Sequence, residues 1–196
     1  MVGHKRSSRK DKIAKIAAKV FCRKGYKTAS MQDIAQGEGS SKGGIYHYFK
    51  SKDDILSYIL LTNSDNFIIA LQSCLKENRE KELDPECSFK RLINVYAKSL
   101  IRENVNSQLI LRERHQLTKK NLQRLLIKER EIFHLVREEL GKVPRLSGKF
   151  DLSVITFLII SMCHWMGYWL KNNGVLSRED AINQSIEAVL SGILED

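Results

Sequence analysis

The chain has 196 residues, enough for one ordinary domain or for a core with a small module attached, and too few for a large multidomain enzyme. With 42% hydrophobic and 29% charged residues, 2 prolines and no low-complexity tract, its composition excludes disorder and favours long helices. The formal charge of +10 sits at one end: residues 1–52 hold 13 Lys/Arg against 3 acids, whereas residues 53–196 hold 20 of each. Such an imbalance suits a small module that meets a polyanion, and a solvated basic face reads the same from charge alone.

In chain order, Ile13, Ile16, Ala17, Val20 and Phe21 recur at helical spacing among lysines and arginines until Gly25, which predicts a first helix with one apolar stripe. Ser30 followed by Asp33 reads as a capping box for a short second helix carrying Ile34 and Ala35, ended by Gly39. Ser40 and Ser41 offer a cap for a third short helix over residues 42–49, and Ser51 with Asp54 opens a fourth. That fourth helix keeps its apolar period past Cys74, and the charged stretch 76–86 is expected to break it. Further helical segments are predicted at about 88–102, 106–117, 118–140, 150–170 and 178–194, with loops at 141–148 and 172–174. The expected fold is all-α, about nine helices: an N-terminal three-helix unit, residues 1–52, fused to a larger helical bundle, residues 53–196.

Residues 154–170, VITFLIISMCHWMGYWL, are apolar enough to raise a membrane span, yet short for one and interrupted by His164 and Gly167. A helix buried from several sides, in a bundle or at a subunit interface, is preferred, with no membrane partner. The four cysteines, 22, 74, 87 and 163, lack metal spacing, and no signal peptide precedes them, so free thiols and a cytoplasmic setting are expected. The histidines at 4, 47, 115, 134 and 164 form no metal motif, and neither a phosphate loop after a strand nor a nucleophile elbow occurs, which disfavours an enzyme and implies no cofactor.

Two short helices joined by a tight glycine turn and packed on a third through Ile34, Ala35, Ile45, Tyr46 and Phe49 make a helix-turn-helix, whose second member fits a major groove about 12 Å wide. Gly43 and Gly44 inside that short helix cost on the order of 1 kcal/mol each relative to alanine. Either a close-approaching base or backbone requires them, or they only loosen a helix start.

Residues 30–56, SMQDIAQGEGSSKGGIYHYFKSKDDIL, resemble the helix-turn-helix signature of the TetR family of one-component repressors through Ile34-Ala35, Gly39, Ser41-Lys42-Gly43, Ile45-Tyr46, Tyr48-Phe49 and Ser51-Lys52. Glu38 departs from the pattern, which usually has a small residue before the turn glycine; either the acid points outward or the angle between the two helices differs. The resemblance implies that Thr28, Ser30, Tyr46 and Lys52 hold phosphates of double-stranded operator DNA. It implies also that Lys42, Gly43, Gly44 and His47 approach the bases, His47 equally fitting a phosphate contact or idle surface, and that Ser41 belongs to the DNA-binding set. Lys5, Arg6, Arg9 and Lys10 would form an arm ahead of the first helix.

The resemblance further implies a homodimer joined through the last two helices, and a small-molecule inducer bound in the C-terminal half. Trp165 and Trp169, with Met162 and Met166, line a ligand cavity or pack a core, and Tyr96, Arg112, His115 and Phe133 complete the candidate ligand set. Residues 112–130 carry a local charge of +5, suited to an anionic head group or to a solvated helix face. Scattered positions in 111–140 and 165–180 resemble the acyl-CoA-responsive branch of the family, so an acyl-CoA or other amphipathic anion is the expected inducer. A regulator of drug efflux sensing a hydrophobic or cationic compound is one alternative. A basic membrane-surface or interaction module is another, disfavoured by the caps and glycines of residues 30–52.

Overall fold

The computed structural model describes the backbone of residues 2–144, 146, 150–169 and 177–193, and their side chains from residue 9 on apart from 104, 169 and 193. Every regular element among these residues is helical: α1 (Val2–Lys24), α2 (Met31–Glu38), α3 (Lys42–Tyr46), α4 (Lys52–Glu80), α5 (Pro85–Arg102), α6 (Asn104–Glu113), a 3-10 turn (Arg114–Gln116), α7 (Lys119–Leu140), α8 (Leu152–Trp169) and α9 (Arg178–Ile193). The all-α reading and the count of nine α-helices therefore hold for the described residues.

The caps fall where the side chains call for them. The Ser30 hydroxyl accepts from the Asp33 amide while the Asp33 carboxylate accepts from the Ser30 amide, and Gly39 closes α2 in the left-handed region with φ 73°. Ser51 accepts from the Asp54 amide, Asp84 from Cys87 ahead of Pro85, and Thr118 from Asn121.

Two helix ends differ from expectation. Helix α3 stops at Tyr46 instead of residue 49, because Phe49 must turn inward, where it is fully buried, before Ser51 caps α4. Helix α4 runs to Glu80 through the charged stretch that was expected to break it. Its lysines and glutamates are good helix formers lying on the solvent side, while its buried face continues through Cys74 to Asn78. Asn78 there donates to the Ser88 hydroxyl at 2.8 Å, and that hydroxyl donates to Glu139, tying α4, α5 and α7 together. The expected loop at 172–174 lies outside the described residues.

The apolar side chains form two cores. One gathers α1 to the first turns of α4, including Ala17, Phe21, Ile34, Ile45, Phe49 and Leu56, and takes Leu109, Ile110, Leu117 and Leu125 from the body. The other joins the rest of α4 to α5, α7, α8 and α9 around Leu71, Leu92, Tyr96, Val136 and Cys163. Among the described residues α4 contributes most evenly to both, and α7 adds Leu125 to the first and Ile132, Val136 and Leu140 to the second.

Glu38 neither points outward nor is tolerated idly. Its side chain is wholly buried, turned toward α1, with the carboxylate 2.8 Å from Arg9 Nη2 and 3.1 Å from Lys12 Nζ. The extra bulk before the turn glycine is thus absorbed as an ion pair clamping α2 to α1. Because Arg9 and Lys12 themselves reach solvent, Glu38→Ala should cost roughly 1–2 kcal/mol, not the larger penalty of a fully buried pair, as a lowered urea midpoint with unchanged slope.

Candidate nucleic-acid interface and effector cavity

Helix α3 presents Ser41, Lys42, Gly43, Tyr46 and His47 to solvent while Ile45 alone of its residues is buried. Ser41 is its N-cap, accepting from the Gly44 amide at 3.1 Å. The Lys42 ammonium lies 5.9 Å from the centre of the Tyr46 ring, and the His47 ring meets Tyr48 edge-on at 4.9 Å. These contacts gather a cation, a phenol and an imidazole on one short exposed face.

The two glycines are not required by the fold. A Cβ on Gly43 would meet nothing nearer than the Ser41 hydroxyl at 3.9 Å, and one on Gly44 nothing nearer than 3.5 Å, and neither has the positive φ seen at Gly25 and Gly39. The interior leaves room for a methyl at both, so the helix accepts the propensity cost without a packing reason.

The other expected phosphate holders have internal partners. All three donors of the Lys52 ammonium are engaged, by the carbonyls of Tyr26 at 3.0 Å, Lys27 at 2.9 Å and Ala29 at 3.3 Å, with the ammonium 4.8 Å from the Tyr26 ring centre. Lys52 therefore clasps the α1–α2 turn to the start of α4, and offers a phosphate its charge but no spare N–H. Thr28 donates to Lys24 and to Gly25 at 3.2 Å, and the Ser30 hydroxyl donates to Asp33 at 2.8 Å. Of the expected phosphate holders, Tyr46 keeps its hydroxyl on an exposed side chain. Lys24 pairs with Asp33, which with the Ser30 hydrogen bonds holds the Asp33 carboxyl down to about 2.

The expected arm is helical: residues 5 and 6 lie in the first turns of α1, with side chains outside the described residues, and Arg9 is held by Glu38.

A cavity of about 650 Å³ opens between α4, α5, α6, α7 and α8, walled largely by Phe67, Tyr96, Ile110, Phe133, Phe157, Ile160 and Trp165. Tyr96, Phe133 and Trp165 were anticipated there. Arg112 and His115 are exposed and lie outside the lining, Met162 and Met166 pack against the second core, and the Trp169 side chain is outside the described residues. Arg114 and Arg130, from the basic stretch 112–130, line the cavity, and so does His164, which the sequence reading missed. Arg114 pairs with Glu129 at 2.9 Å. The Tyr96 hydroxyl lies 2.9 Å from His164 Nε2. A histidine inside an otherwise apolar run was the signal available for it.

Along α8, Val154, Phe157, Leu158 and Trp165 form an exposed apolar stripe, each more than half exposed, so this helix is not buried on every side in the single chain. Among the described residues no helix is long and apolar enough to cross a membrane.

Residues 13–59 match the family model for bacterial regulatory proteins of the tetR family, and residues 82–193 match that for the tetracyclin repressor-like C-terminal domain. The HTH-type transcriptional repressor KstR2 of Mycolicibacterium smegmatis is 37% identical over 54 residues, which are 28% of this chain and 26% of that protein, so this match spans about a quarter of the relative. A tetR-family transcriptional regulator from Bordetella parapertussis 12822 is 26% identical over 95% of this chain and 98% of its own, with a TM-score of 0.81. AibR in complex with isovaleryl coenzyme A and operator DNA shares the fold at 22% identity, with 92% and 97% of the two chains covered and a TM-score of 0.80.

Two outcomes are expected from this geometry. Lys52→Ala should lower unfolding stability by about 1–2 kcal/mol through three freed carbonyls, whereas exposed Lys42→Ala should leave the urea midpoint in place. Burial, with the Arg114 charge, lowers the His164 pKa to about 4. The unfolded chain then binds that proton more readily, so stability is lost as pH falls from about 6.5 through about 4, and His164→Phe should flatten this acid limb in denaturation series.

Proposed function

The chain belongs to the tetR family of bacterial regulatory proteins, and from that premise we propose that it is a dimeric transcriptional repressor whose grip on operator DNA is released by a small molecule. The observation that carries the DNA reading is the exposed face of α3. Its glycines have no internal reason, and a major-groove wall pressed against Gly43 and Gly44 supplies one. Residues 1–52, which hold the whole charge excess, form the reading head; residues 53–196 bind the effector and dimerise. Work on genomic DNA sets the cytoplasm as its place of action, and regulation, not catalysis, as its task.

Within the head, Lys42 and His47 face base edges, Tyr46 donates to a phosphate, and the helix start capped by Ser41 approaches the backbone. Thr28, Ser30 and Lys52 act behind that layer, shaping the turn and adding positive field; Lys5, Arg6 and Arg9 extend the basic face along α1. Two-fold pairing through α8 and α9 covers the apolar stripe and sets the two α3 helices roughly 34–36 Å apart, one duplex turn, on a pseudo-palindrome.

The effector occupies the cavity below α4, and its class is an acyl-CoA or similar amphipathic anion. The apolar walls suit an acyl chain, Arg114 and exposed Arg130 suit an anionic group, and AibR, of the same fold, is the complex holding isovaleryl coenzyme A. A drug-efflux regulator sensing a hydrophobic compound is the second reading. It draws on the aromatic walls around Phe133 and Trp165, and the rim arginines argue against a cationic ligand.

A mobility shift on duplex DNA flanking the protein's own gene tests the proposal. Wild type should bind in the nanomolar range at low salt and weaken steeply as salt rises. Gly43→Ala should keep or slightly raise thermal stability yet lose tenfold or more in affinity, and Lys42→Ala should alter preference at one base position. Weak association indifferent to ionic strength would overturn the DNA reading. Affinity unchanged by both substitutions would overturn the assignment to α3.

A further inference from the structure

The cavity holds one polar arrangement that its apolar walls do not explain. Tyr96 is among the largest fully buried side chains, and its hydroxyl has one hydrogen-bond partner among the described residues, His164 Nε2 at 2.9 Å. The other ring nitrogen, Nδ1, is buried with no partner among the described residues. The other polar linings are differently placed: Ser64 donates to the Leu60 carbonyl at 3.1 Å, Arg114 is paired with Glu129 at 2.9 Å, and Arg130 and Ser161 are exposed.

Donor counting decides the tautomer. A buried phenol must place its proton on an acceptor, and Nε2 is the acceptor within reach. Nε2 thus carries the lone pair and Nδ1 the hydrogen. The opposite assignment strands two groups, the phenol proton and the Nδ1 lone pair, where this one strands a single N–H. Burial keeps the ring neutral near pH 7, its pKa lowered to about 4, so the arrangement is a neutral donor and not an anion-binding cation.

We propose that the Nδ1–H of His164, with its tautomer set by Tyr96, is the hydrogen-bond donor that fixes a carbonyl oxygen of the effector in this cavity. The inference rests on the effector reading of the cavity and adds a specificity element: an apolar ligand bearing an acyl carbonyl is preferred over one of the same shape without it. A neutral N–H in a largely apolar cavity discriminates by leaving itself unpaired when the wrong ligand binds. Tyr96 acts as a positioning residue, never touching the ligand oxygen itself.

The test uses the full-length protein and two probes, decanoyl-CoA and S-decyl-CoA, a thioether that keeps chain and nucleotide but lacks the carbonyl. Wild type, titrated calorimetrically, should bind the thioester about 5–10-fold more tightly, the size expected of one buried hydrogen bond. His164→Phe should bring that ratio to near one while S-decyl-CoA still binds, which also shows that the cavity is intact. His164→Asn, whose amide nitrogen overlies the Nδ1 position, should restore part of the ratio. Tyr96→Phe should lower it by freeing the imidazole to change tautomer. A purely structural role for His164 would weaken both probes together and leave the ratio standing. Equal wild-type affinities, or a ratio that survives His164→Phe, would overturn this inference alone; failure of both probes to bind wild type would overturn the acyl reading of the cavity and this inference with it.

Discussion

A helix of five residues has no stability of its own, because nucleation is unfavourable and so short a segment closes too few backbone hydrogen bonds to offset it. Everything that α3 presents outward is therefore set by what holds it from behind. Ile45 and Phe49 anchor it in the first core, Ser41 satisfies its leading amide, and Gly39 turns the chain into it. Glu38 fastens α2 to α1, and Lys52 fastens the α1–α2 turn to α4. Lys42 and Tyr46 can act on a ligand only because these neighbours have already met the ordering cost of the segment that carries them.

The same clamps link the head to the body. Helix α4 has 29 residues, about 43 Å at the usual rise, and its buried side chains pass from one core to the other without a break. Leu56 and Ile59 pack under the head, while Phe67 on the same helix stands in the wall of the cavity. A ligand that displaces Phe67 acts on a rod whose other end is bolted by Lys52 to the turn before α2. In the proposed dimer, a small tilt of that rod separates two heads that must otherwise match one groove spacing, so an effector favouring the tilted state lowers DNA affinity by its differential binding energy.

How much of this was legible in sequence depends on the range of the interaction. Caps and turn glycines act within four residues, so Ser30 with Asp33, Gly39, Ser41 and Ser51 announce their elements directly. Glu38, Lys52 and His164 find their partners at separations of 29, 25 and 68 residues, and nothing in the local pattern names those partners. Hence Glu38 looked like a departure from the turn, Lys52 like a phosphate ligand, and His164 like an interruption in an apolar run. Helix α4 was expected to break too early for a related reason: the charged stretch 76–86 hides a buried Asn78 whose partners, Ser88 and Arg91, belong to the next helix.

The cavity and the apolar stripe of α8 are continuous, since Phe157 and Trp165 wall the one and are 63% and 61% exposed on the other. Large apolar side chains at such exposure are unfavourable in water, and Val154 and Leu158 beside them extend the patch along successive turns. A second copy laid against α8 and α9 relieves that cost and, by the same act, limits how Phe157 and Trp165 can move. In the proposed dimer an effector entering the cavity is accommodated on the α4 side, because a partner holds the α8 side. Dimerisation in the proposed arrangement would do more than place two reading heads: it would stiffen one wall so that ligand binding is felt along α4.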